Sequence, residues 1–286
     1  MPDTVRSLLA DAAAVLGSAS PAPRLDAELL LAHALGRERG HLHAHPEAKP
    51  SAAALADFHQ LLDRRRSGEP IAYLTSKREF WSLELKVTPA TLIPRHETEL
   101  LVELALRRIP VDADWRLLDL GTGSGAIALA LARERAHCQV SATDSSTGAL
   151  AVAAENAGML GIPNVEFLAG DWFLPFTDQR FQLIVSNPPY VRENDPHLQD
   201  GDLRFEPRSA LTSGIDGLKD LRRIVSAAPA HLEVGGWLLL EHGHDQGAEV
   251  RALVSARGYG QVATFRDLQG QERVTGGIRT EATPSR

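Results

Sequence analysis

The chain has 286 residues, 43% hydrophobic and 23% charged, enough to bury a sizeable core in one large domain or in a small and a medium one. Its net charge of −7 offers no global attraction to nucleic acid, and no apolar run approaches the roughly 20 residues a membrane span needs. A single cysteine, Cys138, excludes an internal disulfide framework, and the acids Asp3 and Asp11 stand where a secretory signal would be basic and then apolar, so a cytoplasmic protein is expected.

Val5, Leu8, Leu9, Ala12, Ala13 and Leu16 recur at helical spacing up to Gly17, and residues 25–35 repeat the pattern up to Gly36. Ser51 offers an N-cap to a third helix with Leu55, Phe58, Leu61 and Leu62 on one face, stopped at Gly68-Glu69-Pro70. Helices this short hide their apolar faces only by packing together or on a neighbour, which predicts a small helical domain over residues 1–78. That stretch holds ten basic and nine acidic residues, a net of +1, leaving −8 for the remainder.

Over residues 79–93 the pattern changes. Phe80, Leu83, Leu85 and Val87, with Trp81 and Thr88 interleaved and Pro89 and Pro94 as punctuation, predict a β-hairpin linker between two domains. A helix follows from Glu97, with Leu100, Leu101, Leu104 and Leu106 in its apolar stripe.

Residues 94–286 form the second predicted domain, where strands and helices alternate from Trp115 onward. Strand-like runs span 116–120, 139–143, 165–169, 181–186, 237–241, 261–265 and 273–279, and helix-like runs 127–135, 147–160, 218–232 and 247–257. This is an α/β pattern with helices on both faces of one sheet. Only Asp267-Leu268-Gln269-Gly270-Gln271 separates the last two strands, so they should pair antiparallel at one end of the sheet. The final residues, 281–286, are expected to fray.

Asp119-Leu120-Gly121-Thr122-Gly123-Ser124-Gly125 lies between a strand and a helix. Its glycines allow a sharp turn and close approach to a ligand, but the spacing is neither the dinucleotide fingerprint nor a phosphate loop. A nucleoside without phosphates fits better. Asp144 ends the next strand, at about the distance where an acid grips a ribose diol. Asp171-Trp172 follows the third strand, a carboxylate and an aromatic wall suited to adenine. The bland alternative has the glycines merely turning the chain and Asp144 capping a helix. Their convergence on successive strand ends instead indicates an S-adenosylmethionine (SAM) methyltransferase.

Ser186-Asn187-Pro188-Pro189-Tyr190 sits where the 181–186 strand runs out. Two prolines cannot continue a sheet, so they make a rigid corner whose carbonyls can face a ligand. Asn187 adds an amide, and the whole suits a planar NH2 group, so transfer at an amide or exocyclic amine nitrogen is expected.

The chain resembles the bacterial release-factor glutamine methyltransferases, the HemK/PrmC family, over nearly its whole length. The matching pieces are Leu25-Asp26-Ala27-Glu28, Pro70-Ile71-Ala72-Tyr73, Glu79-Phe80-Trp81, Leu92-Ile93-Pro94-Arg95, the 119–125 loop, Asn187-Pro188-Pro189-Tyr190 (NPPY), Asp216-Gly217-Leu218 and Glu241-His242-Gly243. Two departures, His96 where the family more often has proline and Leu74-Thr75-Ser76 in place of a glycine-containing turn, touch the linker region only.

The resemblance implies a class I SAM-dependent methyltransferase, Rossmann-like, with a seven-stranded sheet whose last strand is antiparallel, behind an N-terminal helical bundle that binds release factors. It implies a transferase placing a methyl on the side-chain N5 of glutamine in the Gly-Gly-Gln motif of class 1 peptide chain release factors, acting in translation termination. It further implies cofactor contacts from Asp119, Gly121, Thr122, Gly123, Ser124, Gly125, Asp144, Asp171, Trp172 and Asn187. Catalytic contacts fall to Asn187, Pro188, Pro189 and Tyr190, with no metal, no membrane and no direct nucleic-acid binding.

Two other functions share parts of this pattern. An adenine or guanine N-methyltransferase uses the same proline motif but calls for a basic face, against the −8 of residues 79–286. A non-catalytic SAM-fold module would not need competent residues at every ligand position. His41, His43 and His45 read as a solvated loop between helices, His242 and His244 as structural or rim residues, and Cys138 as structural. Arg64-Arg65-Arg66 reads as cations favouring a helix C-terminus, with contact to an acidic partner or RNA as the alternative.

Overall fold

A computed structural model of the chain describes residues 3–281 except 18, so the expectation of fraying over 281–286 lies, from 282 on, outside the described residues. The chain divides into two compact units, Met1–Lys77 with His197–Phe205, and Arg78–Pro196 with Glu206–Arg286.

The first unit is helical: α1 (Val5–Leu16), α2 (Pro23–Leu35), α3 (Arg39–Ala44), α4 (Ala52–Arg66) and α5 (Ile71–Thr75), joined by the 3-10 turn Gly201–Phe205. Thr4 and Ser7 form a capping box at the start of α1, and Ser51 accepts from the Ala54 N–H at the start of α4. Leu8, Leu9, Leu30, Leu31, Phe58, Leu61 and Leu74 share one core, so the apolar stripes read in the sequence do meet each other. Residues 39–44 correct the expected loop. They form a short helix pinned by buried Leu42, with the His41 and His45 rings stacked 4.3 Å apart. Ser76 closes α5 in the left-handed conformation at φ 57°, the backbone role that a glycine would fill in that turn.

The buried charges of this unit are paired. Arg65 is buried at the end of α4, and its Nε donates to Asp26 on α2 at 2.7 Å. Its Nη1 donates to the Glu69 carbonyl at 3.0 Å and to Asp202 at 3.2 Å. Arg65 is therefore a core ion-pair residue, whereas Arg64 meets Glu69 on the surface. Buried Glu28 accepts from Arg24 and Arg39 at 2.9 and 2.8 Å.

The second unit opens with a hairpin, β1 (Lys77–Phe80) and β2 (Leu83–Lys86). Trp81 and Ser82 turn it with φ of 51° and 57°, both positive as a type I′ turn requires. Phe80, Leu83 and Leu85 are buried in this unit's core with Leu101 and Leu104, so the hairpin is anchored there on one face. A 3-10 turn over His96–Thr98 leads into α6 (Glu99–Leu106).

The sheet elements follow as β3 (Arg116–Leu120), α7 (Ala126–Glu134), β4 (Gln139–Asp144), α8 (Thr147–Leu160), β5 (Val165–Ala169) and β6 (Phe181–Ser186). After short 3-10 turns come α9 (Lys219–His231), β7 (Leu232–Glu241), α10 (Gly247–Ala256), β8 (Tyr259–Arg266) and β9 (Glu272–Arg279). The seven strands stand in the order β5-β4-β3-β6-β7-β9-β8. All pairings from β5 to β7 are parallel, and β9 inserts antiparallel between β7 and β8. This is the Rossmann-like class I methyltransferase fold.

Residues alternate between two cores along each central strand. Leu117, Leu183, Val185 and Leu239 point into one, while Leu118, Leu120, Ile184, Leu238 and Leu240 point into the other with α9 and α10. Both faces are covered, which explains why these strands read as nearly continuous apolar runs. β3 and β6 are neighbours although α7, β4, α8 and β5 lie between them in the chain, so the strand order reverses beside β3, the place where open α/β sheets bind ligands.

Candidate active site

The C-terminal ends of β3, β4, β5 and β6 surround a cavity of about 370 Å³. Gly121 and Gly123 line it from the loop after β3, Asp144 from the end of β4, Asp171 and Trp172 from the loop after β5, and Asn187 and Pro189 from the end of β6. Residues 90–92 and the segment 207–210 complete its wall.

The loop is held from beneath. The main-chain N–H groups of Gly121 and Thr122 donate to the Thr143 carbonyl at 2.8 and 2.9 Å, and the Thr143 hydroxyl donates to the Trp172 carbonyl. Gly125 caps α7 at φ 85°, where a Cβ would come within 3.2 Å of Ala153. Asp144 accepts from the Gly123 N–H at 2.9 Å with one oxygen and from the Ser146 N–H at 2.8 Å with the other. It thus ties the glycine loop to the start of α8 while it lines the cavity, so capping and ligand-facing positions coincide in one side chain.

Other expected cofactor residues lie elsewhere. Asp119 is fully buried below the loop, where its Oδ2 accepts from the Thr122 hydroxyl at 2.6 Å and its Oδ1 has no partner. Burial pushes its pKa up to about 7, against the lowering effect of the Thr122 hydrogen bond. Asp119, Thr122, Ser124 and Gly125 are off the cavity wall and shape the loop instead. Sequence spacing cannot separate these roles, because loop-shaping and ligand-facing residues alternate along one short turn.

Asp171 meets Arg223 of α9 at 2.6 Å, and both line the cavity. Arg223 sits on an exposed helix face far along the chain, and no local pattern marks it. Trp172 takes φ 53°, and a Cβ on Gly121 would stand 3.3 Å from its ring. Loop and ring therefore form a narrow slot that any side chain at 121 would narrow further. Carboxylates, an aromatic face and exposed main chain, with the one arginine engaged by Asp171, make a lining that fits SAM better than a phosphorylated ligand.

At the end of β6, the Asn187 Nδ2 donates to the Thr98 hydroxyl at 3.1 Å. Thr98 is buried. The Tyr190 hydroxyl donates to the Glu241 carboxylate at the end of β7 at 3.4 Å. Pro188 is buried, and neither it nor Tyr190 lines the cavity. Gln246 donates to the Tyr190 carbonyl at 3.0 Å. Gly217 packs on that carbonyl so closely that a Cβ would come within 2.2 Å, at φ 75°, which accounts for glycine there.

Glu206 is buried and was not marked by the sequence reading. Its Oε2 accepts from the Ile93 N–H at 3.0 Å and its Oε1 from Arg95, fixing the 90–95 wall to the 207–210 wall. His242 is fully buried, with its two ring nitrogens on the Gly243 carbonyl and the Thr275 hydroxyl, each at 2.8 Å. It packs as a core residue, away from the cavity rim.

Family models match two stretches of the chain: PrmC N-terminal domain over residues 7–75 and Methyltransferase small domain over 96–201. The chain is 54% identical over 254 residues to the release factor glutamine methyltransferase of Xylella fastidiosa (strain Temecula1), covering 89% of this chain and 92% of that one. It is 51% identical over 257 residues to that of Escherichia coli (strain K12), covering 90% and 92%. A solved 16S rRNA N2 G1207 methyltransferase of T. thermophilus, in complex with AdoMet and guanosine, shares the fold at a TM-score of 0.52 and 18% identity, over 71% of this chain and 49% of that one.

Proposed function

The chain belongs to the release factor glutamine methyltransferase family, and we propose that it methylates the side-chain N5 of the glutamine in the Gly-Gly-Gln motif of class 1 release factors. The observation that carries the reading is Asn187. Its amide opens onto the same cavity as the glycine loop, Asp144 and Trp172, while its NH2 group is already held by Thr98. Among the described residues, no side-chain partner engages the Asn187 carbonyl oxygen, an acceptor suited to an N–H donor of a ligand.

Gly121, Gly123, Asp144 and Trp172 would hold SAM, which would supply an electrophilic methyl group on its sulfonium. An amide nitrogen is a poor nucleophile, because its lone pair is delocalised into the carbonyl. The Asn187 carbonyl and the Pro188 main-chain carbonyl accept the two N–H groups of the glutamine amide, raise the electron density on nitrogen and fix its direction. Tyr190 packs on the amide plane. Alignment of this kind contributes on the order of several kcal/mol. No general base is assigned, since the proton can leave after transfer.

The helical unit, assigned to residues 1–78 with a linker over 79–93, holds the release factor in this reading, and the reaction takes place in the cytoplasm during translation termination. The acidic balance of the catalytic segment argues against adenine or guanine in nucleic acid as the acceptor. Transfer of labelled methyl from SAM to a purified release factor, run beside DNA and RNA controls, tests the proposal. Label on nucleic acid and none on the release factor would contradict it.

A further inference from the structure

We propose that Glu206 is a positioning residue whose carboxylate clasps two segments of the cavity wall and so sets the distance between the cofactor end and the acceptor end. The inference rests on the functional reading above and concerns a residue that lies off the cavity wall itself.

The first wall, residues 90–92, belongs to the cofactor end. Ala90 stands against the start of α8, where a Cβ on Gly148 would come within 3.3 Å of its side chain. Asp144 and Ser146, just before that helix, line the same cavity. The second wall, residues 207–210, belongs to the acceptor end. It runs directly into residues 211–214, which lie along the exit of the NPPY corner. The Val191 N–H donates to the Leu211 carbonyl at 2.8 Å, the Ser213 N–H to the Val191 carbonyl at 2.9 Å, and the Glu193 N–H to the Gly214 carbonyl at 3.0 Å. Main-chain bonds this close behind Tyr190 tie the second wall to the corner that carries Asn187.

One buried carboxylate joins the two walls. The Glu206 Oε2 accepts from the Ile93 N–H at 3.0 Å, and its Oε1 accepts from Arg95. Both oxygens are thus spent on the segment that continues the first wall, while the next residue, Pro207, begins the second with φ held at −62°. The receiving segment is braced as well, since the carbonyl of Pro94 accepts from the Arg78 Nε at 3.0 Å. Two donors facing two acceptor oxygens is the match an ionised carboxylate makes and an amide cannot. A buried ion pair of this kind also holds a fold together. Glu206 differs from the pairs of the helical unit in what it connects: a wall of the cofactor end and a wall of the acceptor end. Methyl transfer between those ends depends on alignment, and a displacement of about 1 Å costs on the order of 10²-fold in rate.

The test uses the full-length protein with SAM and a purified release factor, with all rates taken well below each variant's melting temperature. Glu206→Gln keeps the size and can still accept from the Ile93 N–H, but its NH2 group faces the Arg95 guanidinium, donor against donor. It should lower kcat on the order of 10²-fold while SAM affinity by calorimetry stays near the wild-type value. Glu206→Asp keeps the charge with one methylene less reach, and should show a smaller loss; it serves as the readout if Glu206→Gln does not fold. Arg95→Glu alone sets two carboxylates face to face and should be slow. Combined with Glu206→Gln it gives the new NH2 group an acceptor, and most of kcat should return. The inference is overturned if Glu206→Gln and Glu206→Asp keep the wild-type kcat. It is equally overturned if their rates fall only in step with SAM affinity, or if the double variant regains melting temperature without regaining kcat, the signature of a merely structural pair. A wild-type protein that binds SAM and methylates no release factor overturns the functional reading itself, and this inference with it.

Discussion

The two units bury acids in opposite ways. In the helical unit, buried Asp26 meets Arg65, and buried Glu28 meets Arg24 and Arg39. In the catalytic unit, Glu206 is paired with Arg95, but among the described residues Asp119 and Glu241 form no ion pair: the Thr122 hydroxyl meets Asp119 and the Tyr190 hydroxyl meets Glu241. A buried ion pair holds a fold in one arrangement, because losing either member strands the other. A buried acid with no cation partner costs stability, and such groups gather where chemistry is done. The helical unit uses its acids to hold helices together. The catalytic unit uses Asp119 to hold the glycine loop and Glu241 to hold the Tyr190 hydroxyl.

The largest effect expected from breaking this contrast falls on the helical unit. Arg65→Ala should destabilise that unit by about 3–5 kcal/mol by leaving Asp26 buried without its cation. Asp202 adds little, because its side chain is half exposed. Hydrogen exchange of α2 and α4 amides checks this, and unchanged protection would contradict it. Next comes Asn187→Ala, which should cut methyl transfer on the order of 10²- to 10³-fold while sparing most SAM binding. Turnover with a release factor, set beside calorimetric SAM affinity, measures both.

The pH response should sharpen the same comparison. Asp119 and Glu241 have folded-state pKa values of about 7, raised above their ordinary 3.8 and 4.5. The folded catalytic unit then binds more protons than the unfolded chain in that window. Its stability should fall as pH rises from about 4 to about 7 and level off above. All four tryptophans, Trp81, Trp115, Trp172 and Trp237, belong to this unit, so tryptophan fluorescence melting reads it directly. Asp119→Asn should shrink the slope. Glu28 behaves oppositely. Burial pushes it up, but hydrogen bonds from Arg39 and Arg24 outweigh that and hold it below 4.5, so its contribution is present above about 4.5 and lost as pH falls through its folded value. The smallest effect belongs to Arg223→Ala. Its pair with Asp171 is about half exposed on both sides, and SAM affinity should change by no more than about 1 kcal/mol.

Much of this was legible in the sequence, and the exceptions share a cause. The strands of the central sheet lie within a few residues of their apolar runs, because burial on both faces leaves a continuous signal. The exception is β7, which starts five residues before the apolar run at Trp237. The glycine loop, Asp144, Trp172 and Asn187 were legible because each sits at a strand end and its chemistry shows in its own side chain. Arg65 does close α4 as read, but its partner Asp26 was not legible, because it lies 39 positions away and the helix end already gives the cation a local explanation. Thr98 and Glu206 gave no signal at all, and Glu241 entered only within the Glu241-His242-Gly243 piece of the resemblance. Each acts only through a residue brought to it by packing, and a threonine or an acid at an element end looks ordinary by itself. The helix over Arg39–Ala44 escaped because one buried leucine, Leu42, cannot establish a period.

The central claim is that a glutamine side-chain nitrogen is the acceptor and that Asn187 holds it. The direct measurement is mass spectrometry of a release factor after incubation with SAM and either the wild-type protein or Asn187→Ala. One methyl on the side-chain amide of the Gly-Gly-Gln glutamine with the wild type, and none with the variant, is the predicted result. A methyl elsewhere on the release factor, or equal modification by the two proteins, would contradict the account.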